Sequence, residues 1–128
     1  MVLPVPGADS SVVRHVLYLE GAGRETPYLS TSESEAVAER FAGTQGRVWV
    51  TSTAKARAEK VAHLSNADLV ALLAGKGKGK ARWKSAFEVM QARRYVEMHL
   101  EHLLDFGKTK VVDAELSTLV ARLFSGTT

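Results

Sequence analysis

The sequence contains no cysteine. Disulfide bridges, thiol nucleophiles and zinc sites built from cysteine ligands are therefore excluded, while the redox compartment stays open. The chain also lacks an apolar run of membrane-spanning length, so we expect no membrane partner. Its N-terminal stretch MVLPVPGADSS is short and interrupted by proline and glycine, which argues against a signal peptide. We expect a cytoplasmic protein, or a domain delivered into a target cell as part of a longer secreted protein.

The overall composition is that of an ordinary globular domain. The 128 residues are 45% apolar and 24% charged, which allows one hydrophobic core. We therefore expect a single domain over residues 1–128, with an irregular arm at 1–10. The net charge of +3 is mildly basic. Such a charge suits an anionic ligand such as a dinucleotide as well as it suits RNA.

The most informative stretch begins at Pro27 and reads Pro-Tyr-Leu-Ser-Thr-Ser. It predicts a short strand at 28–31 that runs directly into a helix at 33–42. Ser32 and Glu35 have the spacing of a capping box at the start of that helix. A strand that delivers small hydroxyls to a helix entrance suits a phosphorylated or sugar-bearing ligand. The alternative is a well-capped surface helix with no ligand.

Hydrophobic patterns predict the remaining elements. An apolar run indicates a buried strand at 11–20, and β-branched and aromatic residues indicate another at 47–51. Further helices are predicted from Ser65 to Gly75, over 83–98 and from Asp113 onward, and 54–62 reads as helical or loosely extended. Residues 97–107 either continue a helix or form a strand at 100–106. Together these elements predict an α+β fold, a small mixed or antiparallel sheet with flanking helices.

The order of these elements carries a family resemblance. A strand with an arginine, a strand ending in Ser-Thr-Ser, a helix reading EAVAERFA and a strand reading GRVWV follow one another. This order resembles the ADP-ribosyltransferase fold, especially the small toxin-type members with an Arg, Ser-Thr-Ser and Glu constellation. The resemblance covers about residues 12–51 and continues weakly near Glu101. It implies a toxin or effector that consumes NAD by cleaving the nicotinamide–ribose bond.

The resemblance also implies roles for individual residues. The bond breaks through an oxocarbenium-like ribosyl cation, which an anion stabilises. The catalytic residues implied here are Glu101, with Glu97 as the reserve, and Arg14 in the first strand. The residues implied to bind NAD are Arg14, His15, Tyr28, Ser30, Thr31 and Ser32. Another branch of the family uses a histidine on the first strand, so His15, with Tyr18 nearby, is a rival to Arg14.

The late motif departs from the family pattern. The family commonly has Glu-x-Glu, whereas this chain reads His99-Leu100-Glu101. The resemblance assigns to the first glutamate the activation of arginine acceptors. It therefore implies that ADP-ribose is transferred to a non-arginine acceptor, in a protein or a nucleic acid, or to water. An immunity protein would be a partner of such a toxin.

The same region admits readings without NAD. If the helix continued through residue 102, Glu97 and Glu101 would form a solvated pair four residues apart. His99 and His102 would then point away from both carboxylates, so we predict no metal site.

The segment Gly75-Lys76-Gly77-Lys78-Gly79-Lys80 predicts a flexible basic loop at 75–82. It is either a solvated linker or, with Lys84, Arg93 and Arg94, a surface that binds phosphate or nucleic acid. Two alternative functions therefore stand beside the transferase. One is a basic nucleic-acid-binding module, and the other is an enzymatically inert immunity or adaptor protein.

Overall fold

The computed structural model describes residues 3–17, 25–43, 47–83, 85–107 and 113–126. The helices are α1 (Val12–Leu17), α2 (Glu35–Ala42), α3 (Thr53–Ala58), α4 (Asn66–Leu72), α5 (Ala86–His99) and α6 (Asp113–Leu123). The strands are β1 (Tyr28–Ser32), β2 (Trp49–Val50), β3 (Ala62–Leu64), β4 (Glu101–Asp105) and β5 (Ser125–Gly126). The predicted class, α+β with a small antiparallel sheet and flanking helices, is confirmed. Within the described ranges, no helix has both the length and the apolar character needed to cross a membrane.

The main sheet has three strands in the order β1-β4-β3, and both pairings are antiparallel. β4 is the central strand, and β1 is an edge strand. The register places Ser32 opposite Glu101 and Thr31 opposite His102. On β3, His63 lies opposite Leu104. β2 pairs instead with β5 in a separate two-stranded sheet.

The junction between α5 and β4 consists of one residue. Leu100 has φ 49° and ψ 46°, the left-handed conformation that commonly ends a helix. Its N–H bonds to the carbonyl oxygen of Glu97, and β4 begins at the next residue. Of the two readings of 97–107, the strand is therefore confirmed. It occupies Glu101–Asp105 and lies at the centre of the sheet.

The predicted strand at 11–20 is wrong, because residues 12–17 form α1. Ser11 begins this helix, since its Oγ accepts the backbone N–H of Arg14 at 3.2 Å. The apolar face of α1 packs on α5. A short apolar run without polar alternation cannot distinguish a buried helix from a buried strand. The predicted strand residues 18–20 and the predicted turn at 21–23 lie outside the described residues.

The capping residue of α2 differs from the prediction. Ser34, not Ser32, caps the helix by accepting the backbone N–H of Val37 at 3.2 Å. The Oγ of Ser32 instead donates to the carbonyl oxygen of His99 at 2.6 Å and accepts the N–H of Ser34 at 3.0 Å. Ser32 therefore ties β1 to the end of α5.

The other predicted elements are present with different bounds. The strand expected at 47–51 is reduced to β2, and the ambiguous residues 54–62 divide into α3 and the start of β3. Ser65 caps α4 as predicted, and it forms a capping box with Asp68. The helix predicted at 83–98 is α5, and the helix predicted from Asp113 is α6.

Two hydrophobic clusters cover the two faces of the sheet. Side chains alternate along β4, so Leu103 belongs to the cluster that contains residues of α1, α4 and α5. Leu104 belongs to the cluster that contains residues of α3 and α6. The same alternation places Glu101 on the face of Leu103 and His102 on the face of Leu104.

Candidate functional site

A cavity of about 1020 Å³ extends along β1, one of the two edge strands of the main sheet. This volume is at the upper end of the range for sites that bind small molecules and cofactors. Both faces of β1 contribute, since Ser30 and Thr31 alternate along the strand and both line the cavity. The cavity therefore continues around the free edge of the sheet.

The first polar group reaches the cavity wall through Ser30 and Glu101. It centres on His15, which is only 7% exposed. Its Nδ1 lies 2.5 Å from the hydroxyl of Thr26, and its Nε2 lies 2.7 Å from the hydroxyl of Ser30. Ser30 also hydrogen-bonds to the carboxyl group of Glu101. We call Thr26, His15, Ser30 and Glu101 the His15 cluster. It joins α1, β1 and β4 by hydrogen bonds between side chains.

Glu101 is the carboxyl group of the His15 cluster. Burial raises its pKa from 4.5 to about 7, and the hydrogen bond from Ser30 opposes this shift. Ser30 has one hydroxyl hydrogen, and Nε2 of His15 either donates to Ser30 or accepts from it, depending on the tautomer. When Nε2 carries the hydrogen, His15 donates to Ser30 and Ser30 donates to the Glu101 carboxylate. When the carboxyl is protonated, it can donate to Ser30, which then donates to Nε2. The His15 cluster is therefore hydrogen-bonded in both protonation states of Glu101.

The structure brings together most of the residues that the sequence suggested. Ser30, Thr31, Ser32 and Glu101 line the same cavity, and His15 contacts it through Ser30. The hydroxyl of Thr31 donates to the carbonyl oxygen of His102 at 3.1 Å. Thr31 and Ser32 thus bond to backbone carbonyls, whereas Ser30 bonds to ionisable side chains.

Arg14 and Tyr28 lie elsewhere. Arg14 is on α1, where its Nη1 donates to Asp9 at 3.2 Å, and it does not line the cavity. Tyr28 is buried, and its hydroxyl donates to the backbone carbonyl of Ser10 at 2.7 Å. Burial raises the pKa of this phenol. The cavity is lined instead by Arg47, whose guanidinium carbon lies 4.8 Å from the ring centroid of Trp49.

A second polar group lies on the other face of β4 and was not predicted. His102 Nε2 lies 2.5 Å from Glu33 Oε1, and its Nδ1 lies 2.7 Å from His63 Nε2. The two imidazole rings are nearly parallel, at 2°. Burial and His102 both lower the pKa of His63. All three side chains line the cavity, and we call them the Glu33–His102–His63 series.

The three side chains of this series are hydrogen-bonded one after another and do not surround a common point as metal ligands would. Throughout the described ranges, no three histidine or carboxylate side chains converge as a metal ion would require. Two members of the series could have been noticed in the sequence, because His102 directly follows Glu101 and Glu33 directly follows Ser32. His63 could not be assigned, because the pairing of β3 with β4 joins distant parts of the chain.

Aromatic rings form part of the cavity wall. Phe41 meets His99 edge to face at 4.9 Å, and Tyr95 stacks on the same imidazole at 5.8 Å. Glu97, the reserve carboxylate, is exposed on α5 and does not line the cavity.

The predicted basic loop lies away from the cavity. Gly79–Ala81 form a short 3-10 helix, and Lys80 is 3.6 Å from the buried carboxylate of Asp105. Lys76 and Lys78 are exposed, whereas Arg93 is half-buried and donates to the carbonyl oxygen of Leu73. The predicted contribution of Lys84 lies outside the described residues.

No protein-family model matches the chain, and no match is found among curated proteins or solved structures.

Proposed function

We propose that this protein is an ADP-ribosyltransferase-like toxin or effector that cleaves the nicotinamide–ribose bond of NAD. One observation carries the proposal. A buried glutamate, Glu101, lies beside the Ser-Thr-Ser strand in a cavity whose volume is ample for a dinucleotide. A carboxylate in such a place is suited to stabilise a ribosyl cation, because low exposure strengthens its interaction with a developing positive charge.

Glu101 has the central role in this reaction. The bond between C1′ of the ribose and the nicotinamide nitrogen breaks, and nicotinamide leaves as a neutral base with the bonding electrons. The Glu101 carboxylate faces the positive charge that remains on the ribose. Ser30 holds the carboxylate in position, and His15 holds Ser30.

Of the two rivals that the sequence suggested for the NAD site, His15 and Arg14, we assign this role to His15. It is buried and bonded to Ser30, whereas Arg14 pairs with Asp9 outside the cavity. Arg47 supplies the positive charge on the cavity wall and is suited to the pyrophosphate of NAD. The acceptor of ADP-ribose is water or a non-arginine group, as the departure from the Glu-x-Glu pattern implies.

The test is nicotinamide release from NAD by the purified protein, with and without cell lysate. Glu101→Gln keeps the size of the side chain but removes its charge. We expect turnover to fall by about 10²-fold or more, with a much smaller change in NAD affinity.

Glu97→Gln is the matched control, since Glu97 is exposed on α5, and we expect it to keep wild-type turnover. Loss of turnover in Glu97→Gln alone would reassign the catalytic carboxylate. A wild-type protein that releases no nicotinamide under any of these conditions would refute the proposal.

A further inference from the structure

The backbone of β1 has hydrogen-bonding groups that the sheet does not use. Just after β1, the N–H of Glu33 donates to the carbonyl oxygen of Leu100 at 3.2 Å. Every second residue of an antiparallel strand bonds to the same neighbour, so Thr31 also bonds to β4, and the backbone groups of Ser30 and Ser32 point to the opposite side. No residue that the structure describes bonds to these groups. We call the backbone N–H and C=O groups of Ser30 and Ser32 the free edge of β1.

The free edge lacks the features that usually protect an edge strand. β1 reads Tyr-Leu-Ser-Thr-Ser, without a proline or a charged residue, and it pairs with β4 residue by residue without a bulge. Ser30 is exposed. Directly before β1, the backbone is already covered by another segment, because the N–H of Val5 donates to the carbonyl oxygen of Thr26 at 2.8 Å. The free edge offers the same kind of contact to a segment from outside.

The shape of the cavity selects the kind of segment. The cavity extends along β1, and residues of α2 and β2 line it as well. The free edge therefore lies in a groove, which fits one extended segment better than the broad surface of a second copy of the chain. Addition of a single strand to a sheet edge is an established mode of peptide recognition.

The side chains around the free edge define the chemistry of the segment. Ser30 and Ser32 lie on the sheet face that packs on α1 and α5, where Leu17 lines the cavity. Glu33 and Glu35 are exposed and line the cavity at the end of β1. A strand that runs antiparallel to β1 has its N-terminal end beside these carboxylates. Such a strand would carry apolar side chains opposite the two serines and a basic residue at its N-terminal end.

We propose that the free edge of β1 binds an extended segment of a partner protein as an added antiparallel strand. The segment begins with a basic residue and then alternates apolar and polar residues. Main-chain hydrogen bonds supply the affinity, and the alternating side chains supply the selectivity. This inference does not depend on the proposed NAD cleavage. A bound segment would share the cavity with the proposed NAD site, so the two ligands would compete.

The probe is the hexapeptide acetyl-Lys-Val-Thr-Val-Thr-Val-amide, added to the full chain without NAD. In the proposed register its second and fourth residues, both valine, lie opposite Ser32 and Ser30, and their N–H groups point at β1. The N–H of its third residue, a threonine, points away. We expect N-methylation of the fourth residue to abolish binding, and N-methylation of the third residue to keep the dissociation constant within about threefold.

Amide hydrogen exchange, followed by NMR, locates the bound peptide. In the free protein, the amides of Ser30 and Ser32 should exchange faster than those of Leu29 and Thr31, which bond to β4. When about nine-tenths of the protein is bound, exchange at Ser30 and Ser32 should slow by about tenfold, because it then proceeds only from the free fraction.

Two variants of α2 test the orientation of the segment. Glu35 lines the cavity where the lysine of the probe would lie, whereas Glu39 is an exposed carboxylate of the same helix that does not line it. We expect Glu35→Gln to raise the dissociation constant about threefold and Glu39→Gln to leave it unchanged.

Equal effects of the two N-methyl groups would overturn this inference, as would binding that leaves exchange at Ser30 and Ser32 unchanged. The absence of saturable binding at millimolar concentrations of the probe would also overturn it. An equal dissociation constant in Glu35→Gln and Glu39→Gln would overturn the proposed orientation and with it the chemistry assigned to the partner.

Discussion

At the scale of single residues, the surroundings of Glu101 decide its charge. Its carboxyl group is buried at the start of β4, and the cost of ionising it there raises its pKa to about 7. The proposed reaction needs the carboxylate, whereas burial favours the protonated carboxyl. The folded state and the reaction therefore favour opposite protonation states.

The pKa of Glu101 predicts how stability changes with pH. Its folded value is about 7 and its reference value is 4.5, so below pH 4.5 the carboxyl is protonated in both folded and unfolded chains. Between these values the unfolded chain releases the proton first, and folding stability falls as the pH rises. The loss is complete above pH 7 and amounts to roughly 3 kcal/mol.

Urea unfolding of the wild type and of Glu101→Gln at pH 5 and pH 8 measures this loss. Because glutamine does not ionise, we expect the variant to gain stability relative to the wild type between the two pH values. Glu97→Gln, at an exposed position, should show no such gain. Equal pH dependence of the wild type and Glu101→Gln would mean that Glu101 is solvated.

At the scale of elements, the sequence predicted a helix correctly where either its apolar spacing or its capping residue could be recognised locally. α6 has apolar residues at helical spacing, and α4 has its capping serine, so both follow from sequence. α1 does not, because its run of valines and leucine fits either a strand or a helix. Packing on α5 decides between them. β3 also cannot be predicted from its own sequence, because three residues form a strand only where β4 provides a partner.

The residues of the site likewise divide into those that the sequence predicted and those that it did not. Ser30 and Glu101 were predicted from a sequence motif, and the pairing of β1 with β4 brings them together. His63 and Thr26 carry no local signal, since each becomes part of a polar group only through contacts between distant segments.

The capping box of α4 gives a prediction at this scale. Ser65→Ala removes the hydroxyl that accepts the backbone N–H of Asp68, and we expect a loss of about 1 kcal/mol in the free energy of unfolding. Ser117→Ala is the control, because Ser117 is exposed within α6, where alanine favours the helix. Denaturant titration of both variants distinguishes the two effects. No loss in Ser65→Ala would show that α4 is held by packing alone.

At the scale of the whole molecule, two hydrophobic clusters pack on opposite faces of the three-stranded sheet. Val89 of α5 is fully buried in one cluster, and Val120 of α6 is 4% exposed in the other. β4 contributes Leu103 to the first cluster and Leu104 to the second. The protein therefore has two small cores on the two faces of the sheet, and β4, the strand that carries Glu101, contributes to both. β1 also contributes to both, with Tyr28 in the first cluster and Leu29 packed against the second.

This arrangement predicts additive effects of substitutions in the two cores. Val89→Ala and Val120→Ala each remove buried methyl groups and should cost about 2 kcal/mol. Because the two side chains lie in separate clusters, the double variant should lose the sum, within about 0.5 kcal/mol. Chemical denaturation of the four proteins measures this coupling. A coupling energy well above that margin would show that the sheet transmits packing changes between its faces.

Because the junction at Leu100 is one residue long, the number of residues there decides on which face of the sheet each side chain of β4 lies. β4 starts immediately after α5, so the helix fixes which of two successive side chains points to each side of the sheet. Insertion or deletion of a single residue there would exchange the carboxylate of Glu101 and the imidazole of His102 between the two faces, whereas a change of two residues would restore them. An odd change in length at this junction would thus separate each group from its partners without altering any side chain of the site.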